Sequence, residues 1–232
     1  VTQTLVTDGT DWSTWYGGPT LLQLLESLPA AQERTVGDLL IPVQYVAREG
    51  EGTGNQPRTL WGRIAHGSVK AGDDVQIFPS GQRAVVAEVR LAGSVVDRVE
   101  AGRSAGVVLD RQLDVSRGDW LLAQDSEVQA QTQLNVTLAW LDDEPLVAGR
   151  VYWALHGHRW VKAKVQRVVH RLNVNTLAEE EATELAPNAI GHVTLALQEP
   201  LVTLPFAQSR ILGALVLVDT ASHKTSGAVL VD

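Results

Sequence analysis

The sequence predicts an all-β fold, two successive small antiparallel barrels behind one short N-terminal helix. Three observations carry this reading. Short segments of alternating apolar and polar residues recur from residue 39 to residue 123, at the spacing of a closed antiparallel barrel or sandwich. A polar stretch, DSEVQAQ at residues 125–131, interrupts the pattern, and alternation then starts afresh. A chain of 232 residues that is 44% hydrophobic and 20% charged is long enough to bury two cores. Two runs of many short strands imply two barrels rather than one large sheet. The predicted divisions are 1–34 for the helix and its linker, 35–127 for the first barrel and 128–232 for the second.

The helix is predicted from GGPTLLQLLESLP. Pro19 suits a first helical position, Gly18 can cap it, and Leu21, Leu22, Leu24, Leu25 and Leu28 follow helical spacing until Pro29. A helix of about ten residues is marginal alone in water, so these leucines are expected to dock on something. LLIPVQYV then places Ile41, Val43 and Tyr45 on one side of a strand. REGEGTGNQPR is too polar and glycine-rich for a core and reads as a mobile loop. RAVVAEVRLA is read with Val85, Ala87, Val89 and Leu91 on one face, and SAGVVLD with Ala105, Val107 and Leu109. In the second unit QLNVTLAWL puts Leu134, Val136, Leu138 and Trp140 on one face. RVYWALHG and RWVKAKVQRVVHRLNV are expected to pair across a turn at His156, Gly157 and His158. The acidic LAEEEATELAP reads as a short helix or turn, and three further strands finish the chain.

Composition excludes several function classes. The net charge is −8, against the basic excess of a phosphate-backbone reader, so nucleic acid is a poor partner. No apolar run approaches the ~18 residues of a membrane span. With no cysteine there are neither disulfides nor thiolate metal sites, which is compatible with a reducing cytoplasm. The chain starts at Val1 and contains no methionine, and it reads as a piece of something longer.

The motifs that could carry chemistry are weak. EGEGTGN has the glycines of a phosphate cradle but no following Lys and no strand-to-helix context. His156 and His158 lack a third ligand at zinc spacing and read as surface hairpin residues. Asp219, Ser222 and His223 contain hydrolase residue types, but a nucleophile and base adjacent in sequence make poor geometry, so a loop is expected. Asp142, Asp143 and Glu144, and Glu179, Glu180 and Glu181, lack calcium-loop spacing. One charge feature survives. Arg159, Lys162, Lys164, Arg167 and Arg171 form a run without an acid, and Lys162 and Lys164 alternate with Val161, Ala163 and Val165, so they point away from the core. Arg159, Lys162, Lys164 and Arg167 are therefore the candidate docking residues for an acidic partner.

The stretch LWGRIAHGSVKAGDDVQIFPSG resembles domain II of translation-factor-type GTPases such as elongation factor Tu, through Gly62, Ile64, Gly67, Val69, Gly72, Asp73 and Val75. Asp114, Val115, Arg117, Gly118 and Asp119 resemble that barrel's second turn, with Val where Ile is usual. IGHVTLALQEPLVTLPF and the strands after it look like domain III. The resemblance implies Greek-key barrels of the domain II and domain III type. WYGGPTLLQLLE with PVQYV and DVSRGD further resembles the GTPase subunit of bacterial sulfate adenylyltransferase (ATP sulfurylase), in which the first of these segments ends the GTPase domain. The resemblance implies an intact cytoplasmic enzyme that makes adenylyl sulfate and pyrophosphate from ATP and sulfate, for sulfate assimilation, driven by GTP hydrolysis. Its partners would be a catalytic subunit and, in some bacteria, a fused or associated adenylylsulfate kinase. GTP and Mg²⁺ would be held upstream of Val1, leaving this chain without catalytic, cofactor or metal residues, as a relay and docking module. The competing expectation is a barrel module of a translation-type GTPase that binds tRNA or the ribosome. A free-standing structural β protein is the third.

Overall fold

The computed structural model describes residues 18–28, 37–48 and 57–232. Among the described residues there is one short helix, α1 (Leu21–Ser27), started by Thr20 rather than by Gly18 and Pro19. Thr20 is extended, its hydroxyl accepts from the Gln23 N–H, and the Gln23 side chain accepts from the Thr20 N–H. This reciprocal box satisfies two donors that a helix start leaves open, which Pro19 cannot do because it precedes the cap. Leu21, Leu22, Leu24, Leu25 and Leu28 are 39–57% exposed.

The first barrel contains β1 (Leu40–Pro42), β2 (Tyr45–Arg48), β3 (Arg58–Arg63), β4 (Ser68–Lys70), β5 (Asp74–Phe78), β6 (Arg83–Leu91), β7 (Ser94–Val96), β8 (Arg98–Glu100), β9 (Ser104–Leu109) and β10 (Trp120–Ala123). Its antiparallel order is β1-β10-β5-β6-β9-β3-β2. β1 and β2 are two pieces of one bent strand, so the ends of this path meet. Leu40 bridges His66 just beyond β3, and the Gln44 N–H donates to the Trp61 carbonyl at 2.8 Å. Closure hides edges that would otherwise pair with other chains. The core includes Ile41, Leu60, Ile64, Val69, Val75, Ile77, Val86, Val89 and Val107.

β6 corrects the expected phase. Ala84 and Val86 are buried while Ala87 is exposed, and the register with β9 shifts between Val86 and Glu88 before Val89 turns inward. An extra residue in one strand reverses the facing of everything after it. Tyr45 likewise departs from the Ile41 and Val43 face, because the chain bends between β1 and β2; it is exposed.

The second barrel contains β11 (Ala130–Trp140), β12 (Leu146–Val147), β13 (Val151–His156), β14 (Arg159–Leu172), β15 (Glu179–Glu180), β16 (Glu184–Leu185), β17 (Ile190–Val202), β18 (Ala214–Asp219) and β19 (Thr225–Val231). Six of these close a hydrogen-bonded ring, β13-β18-β19-β11-β17-β14, because β14 also pairs with β13. Leu134, Val136, Leu138 and Trp140 all point inward, as their period of two requires. Trp140 meets Tyr152 edge-on at 5.4 Å, and its indole N–H donates to the Glu144 carbonyl at 2.7 Å. The acidic segment expected as a helix or turn instead forms β15 and β16, which pair with β14 and β12. Arg171 and Asn173 hold Glu180 at 2.7 and 2.8 Å there, neutralising charge that a solvated turn would leave free.

A third cluster joins the barrels. Leu40, Ala65, Trp120 and Leu122 from the first meet Val202 and Leu212 from the second, with Phe78, Leu204 and Ile211 at the margin. β1 and β10 are therefore buried on both faces, one toward their own barrel and one toward this seam.

Candidate functional site

The hairpin β13–β14 connects the seam to the outer face of the second barrel. Its register pairs Tyr152 with Ala163, Trp153 with Lys162, Leu155 with Trp160 and His156 with Arg159. A two-residue turn joins the strands, and Gly157 takes φ +57° there, the left-handed conformation that such turns favour in glycine. Alternation then divides the hairpin. Tyr152, Ala154, Val161, Ala163 and Val165 fill the barrel. Trp153, Trp160, Lys162 and Lys164 face outward.

On the outer face the Lys162 ammonium lies 5.4 Å above the centre of the Trp153 ring. Lys162 and Lys164, with Val151, Trp153, Gln198 and Thr220, line a shallow groove of about 620 Å³. Neither lysine has an ion-pair partner among the described residues, so both charges are presented to solvent. Trp160 adds an indole that is 50% exposed. Beyond Val165 the register with β17 shifts, and Arg167 follows on the exposed side.

Arg159 leaves this group. Its side chain is only 15% exposed, and its guanidinium pairs with Glu199 and, at 3.5 Å, with Asp119 of the first barrel. The ring of Phe78 lies 5.9 Å away. The arginine nearest the hairpin turn therefore links the barrels, while the lysines further along the strand remain outside.

His156 also departs from the expected surface position. It is fully buried, stacks on Trp120 at 5.3 Å, and hydrogen-bonds through Nε2 to the Leu212 carbonyl at 3.0 Å. Loss of solvent pushes its pKa down to about 4, outweighing the carbonyl hydrogen bond. The imidazole is thus a neutral piece of the seam. The signal was present in the alternation, since His156 shares its parity with Tyr152 and Ala154. His158 is half-buried, and its Nδ1 lies 3.4 Å from the Arg117 guanidinium. The backbones are close here too: a Cβ on Gly118, which has φ +96°, would fall 2.9 Å from the His158 carbonyl oxygen.

The other candidates have structural partners. Asp219 accepts from the Ser222 hydroxyl at 2.9 Å and from the N–H groups of Ser222 and Ala221, closing the turn before β19. Asp142 accepts from the Ser226 hydroxyl at 2.7 Å. Among the described residues no group of three His, Asp or Glu side chains is placed to hold a metal ion. The EGEGTGN segment lies outside the described residues. No helix among the described residues is long and apolar enough to cross a membrane.

Comparison with known proteins places this geometry. Residues 133–232 match the GTP-eEF1A C-terminal domain-like family. The chain is 36% identical over 218 residues to the bifunctional enzyme CysN/CysC of Xylella fastidiosa, covering 94% of this chain and 34% of that protein. It is 34% identical over 218 residues to sulfate adenylyltransferase subunit 1 of Laribacter hongkongensis, covering 94% of this chain and 44% of that one. With the subunit 1 of Rhizobium meliloti it shares 37% over 223 residues, 96% of this chain and 44% of the relative. The chain thus spans less than half the length of these curated relatives. The crystal structure of sup35 complexed with GDP has the same fold, with a TM-score of 0.77 over 98% of this chain and 55% of that one, at 21% identity.

Proposed function

We propose that this chain is the barrel portion of a sulfate adenylyltransferase subunit 1, serving an enzyme that converts ATP and sulfate to adenylyl sulfate and pyrophosphate. The observation that carries this reading is the match over 94% of the chain to proteins of that name. GTP and Mg²⁺ belong to a nucleotide domain outside these residues, and the chain alone turns over no GTP. Its task is mechanical. The buried seam makes the two barrels one body, so a displacement imposed on the first is carried to the second as a rigid rotation. Lys162 and Lys164, backed by Trp153, meet an acidic surface of the catalytic subunit; Arg167 extends that face. A fused or associated adenylylsulfate kinase is compatible with this role.

The test is association of the purified chain with the separately expressed catalytic subunit. Lys162→Glu with Lys164→Glu is expected to weaken binding about tenfold or more, since like charge then faces like charge. Unchanged affinity removes the docking face. GTP turnover by the purified chain removes the division of labour.

A further inference from the structure

The first barrel carries a second concentration of positive charge, running along β2 from Arg117, which lies beside His158, to the strand's end at Arg48. Arg48 and Arg58 are direct partners across β2 and β3. Like charges placed opposite one another on an antiparallel pair are destabilising. They share a facing with Val46 and Leu60, which point toward the barrel interior, and so stand at its mouth. Arg117 joins them from the loop before β10. All three arginines line one open pocket of about 640 Å³, with Tyr45, Ser116 and, among the described residues, one carboxylate, Asp114.

What holds these guanidiniums is informative. Arg117 donates through Nη1 to the Gln44 carbonyl at 2.8 Å. Arg58 reaches the Leu113 carbonyl at 3.5 Å. Neither has a carboxylate partner among the described residues, whereas neighbouring Arg111 is paired with Asp110 at 2.7 Å. Backbone carbonyls orient an arginine without cancelling its charge. Two guanidiniums held in this way, with Arg48 beside them on the same concavity, present a set of N–H donors in a chain whose net charge is −8.

We propose that this pocket binds a tetrahedral oxyanion, phosphate or sulfate, either free or as the terminal group of a small ester. The guanidiniums of Arg48, Arg58 and Arg117 supply paired N–H donors, and the Ser116 hydroxyl a further one. An anion there relieves the opposition of Arg48 and Arg58. Tyr45, 63% exposed on the same rim, offers a ring face to the organic part of an ester.

The experiment is a titration of the whole 232-residue chain followed by ¹H–¹⁵N resonances of the arginine Nε groups, at ionic strength held constant with KCl. Sodium phosphate, sodium sulfate and adenosine 5′-monophosphate are the three probes. Saturable shifts at Arg48, Arg58 and Arg117 are expected. Equal affinity for phosphate and the monophosphate assigns the free anion; tighter binding of the monophosphate assigns an ester. Arg58→Gln with Arg117→Gln should weaken binding at least tenfold. Arg48→Gln, which removes no hydrogen bond found among the described residues, should weaken it several-fold without touching the fold. Lys162→Gln with Lys164→Gln should leave it unchanged. Shifts that rise linearly to high anion concentration, or equal binding by the arginine variants and the parent chain, overturn the proposal.

Discussion

The tip and the stem of the hairpin β13–β14 differ in everything except their sequence character. At the tip His156 and Arg159 are withdrawn from solvent, one stacked on Trp120 and the other paired to Asp119 and Glu199. Along the stem Lys162 and Lys164 carry the same charge as Arg159 yet face outward over Trp153. The difference teaches that a basic run is not one feature. A planar guanidinium can satisfy two carboxylates in a crowded seam, which a strongly hydrated ammonium does poorly. The tip is therefore a structural joint and the stem a presented surface. Mutations at the two should separate stability from association.

The largest expected effect is at the joint. Trp120, at the start of β10, is fully buried in the seam with the second barrel. Trp120→Ala should cost about 3–5 kcal/mol, through lost burial and the cavity left behind. Trp153→Ala on the half-buried stem should cost about 1 kcal/mol or less, since much of that ring is already wet. Urea denaturation of both variants checks the contrast. Similar losses at the two tryptophans would mean that the seam is no more cohesive than the outer face.

The second effect is a pH dependence localised to the tip. His156 has an unfolded pKa near 6.5 and a folded value of about 4, so between these the unfolded chain holds a proton that the folded chain refuses. Stability is present above pH 6.5 and falls as pH drops toward 4, by an amount on the order of 3 kcal/mol. Asp142, Asp219 and Glu180 also have lowered values, from side-chain or backbone hydrogen bonds, and their contributions are lost from the acid end of this window downward. His156→Gln should flatten the slope of urea midpoints between pH 6.5 and 4. An equal slope in that variant would place the titration elsewhere.

These tests also bear on what the sequence can disclose. The barrel interiors were legible wherever alternation ran unbroken, as in Leu134, Val136, Leu138 and Trp140 or in the lysines of the stem. Phase was lost at β6, because the shift after Val86 leaves no mark in a run of small apolar residues. The seam was legible only indirectly. LLIPV and WLLA are continuous apolar runs among alternating neighbours, the pattern of strands covered on both faces. Which distant segment covers them, here Val202 and Leu212, depends on the path of the chain and has no local signature. The arginine pocket was hidden for the same reason: Arg48 and Arg117 are far apart in sequence and meet only through barrel closure.

The smallest expected effect sharpens the comparison from the other side. Lys162→Glu with Lys164→Glu removes one cation–π contact, worth about 0.5–1 kcal/mol at an exposed site, and no ion pair among the described residues. It also lowers the charge of an already acidic chain, adding modest self-repulsion that salt screens. The change in unfolding free energy should therefore stay within about 1 kcal/mol and shrink further in 0.5 M salt. A larger loss would show that the lysines hold the barrel together rather than face a partner. Weakened association with the proposed catalytic subunit could not then be credited to the outer face. A near-neutral result beside a clear loss of association would assign the stem to recognition and leave cohesion to the tip.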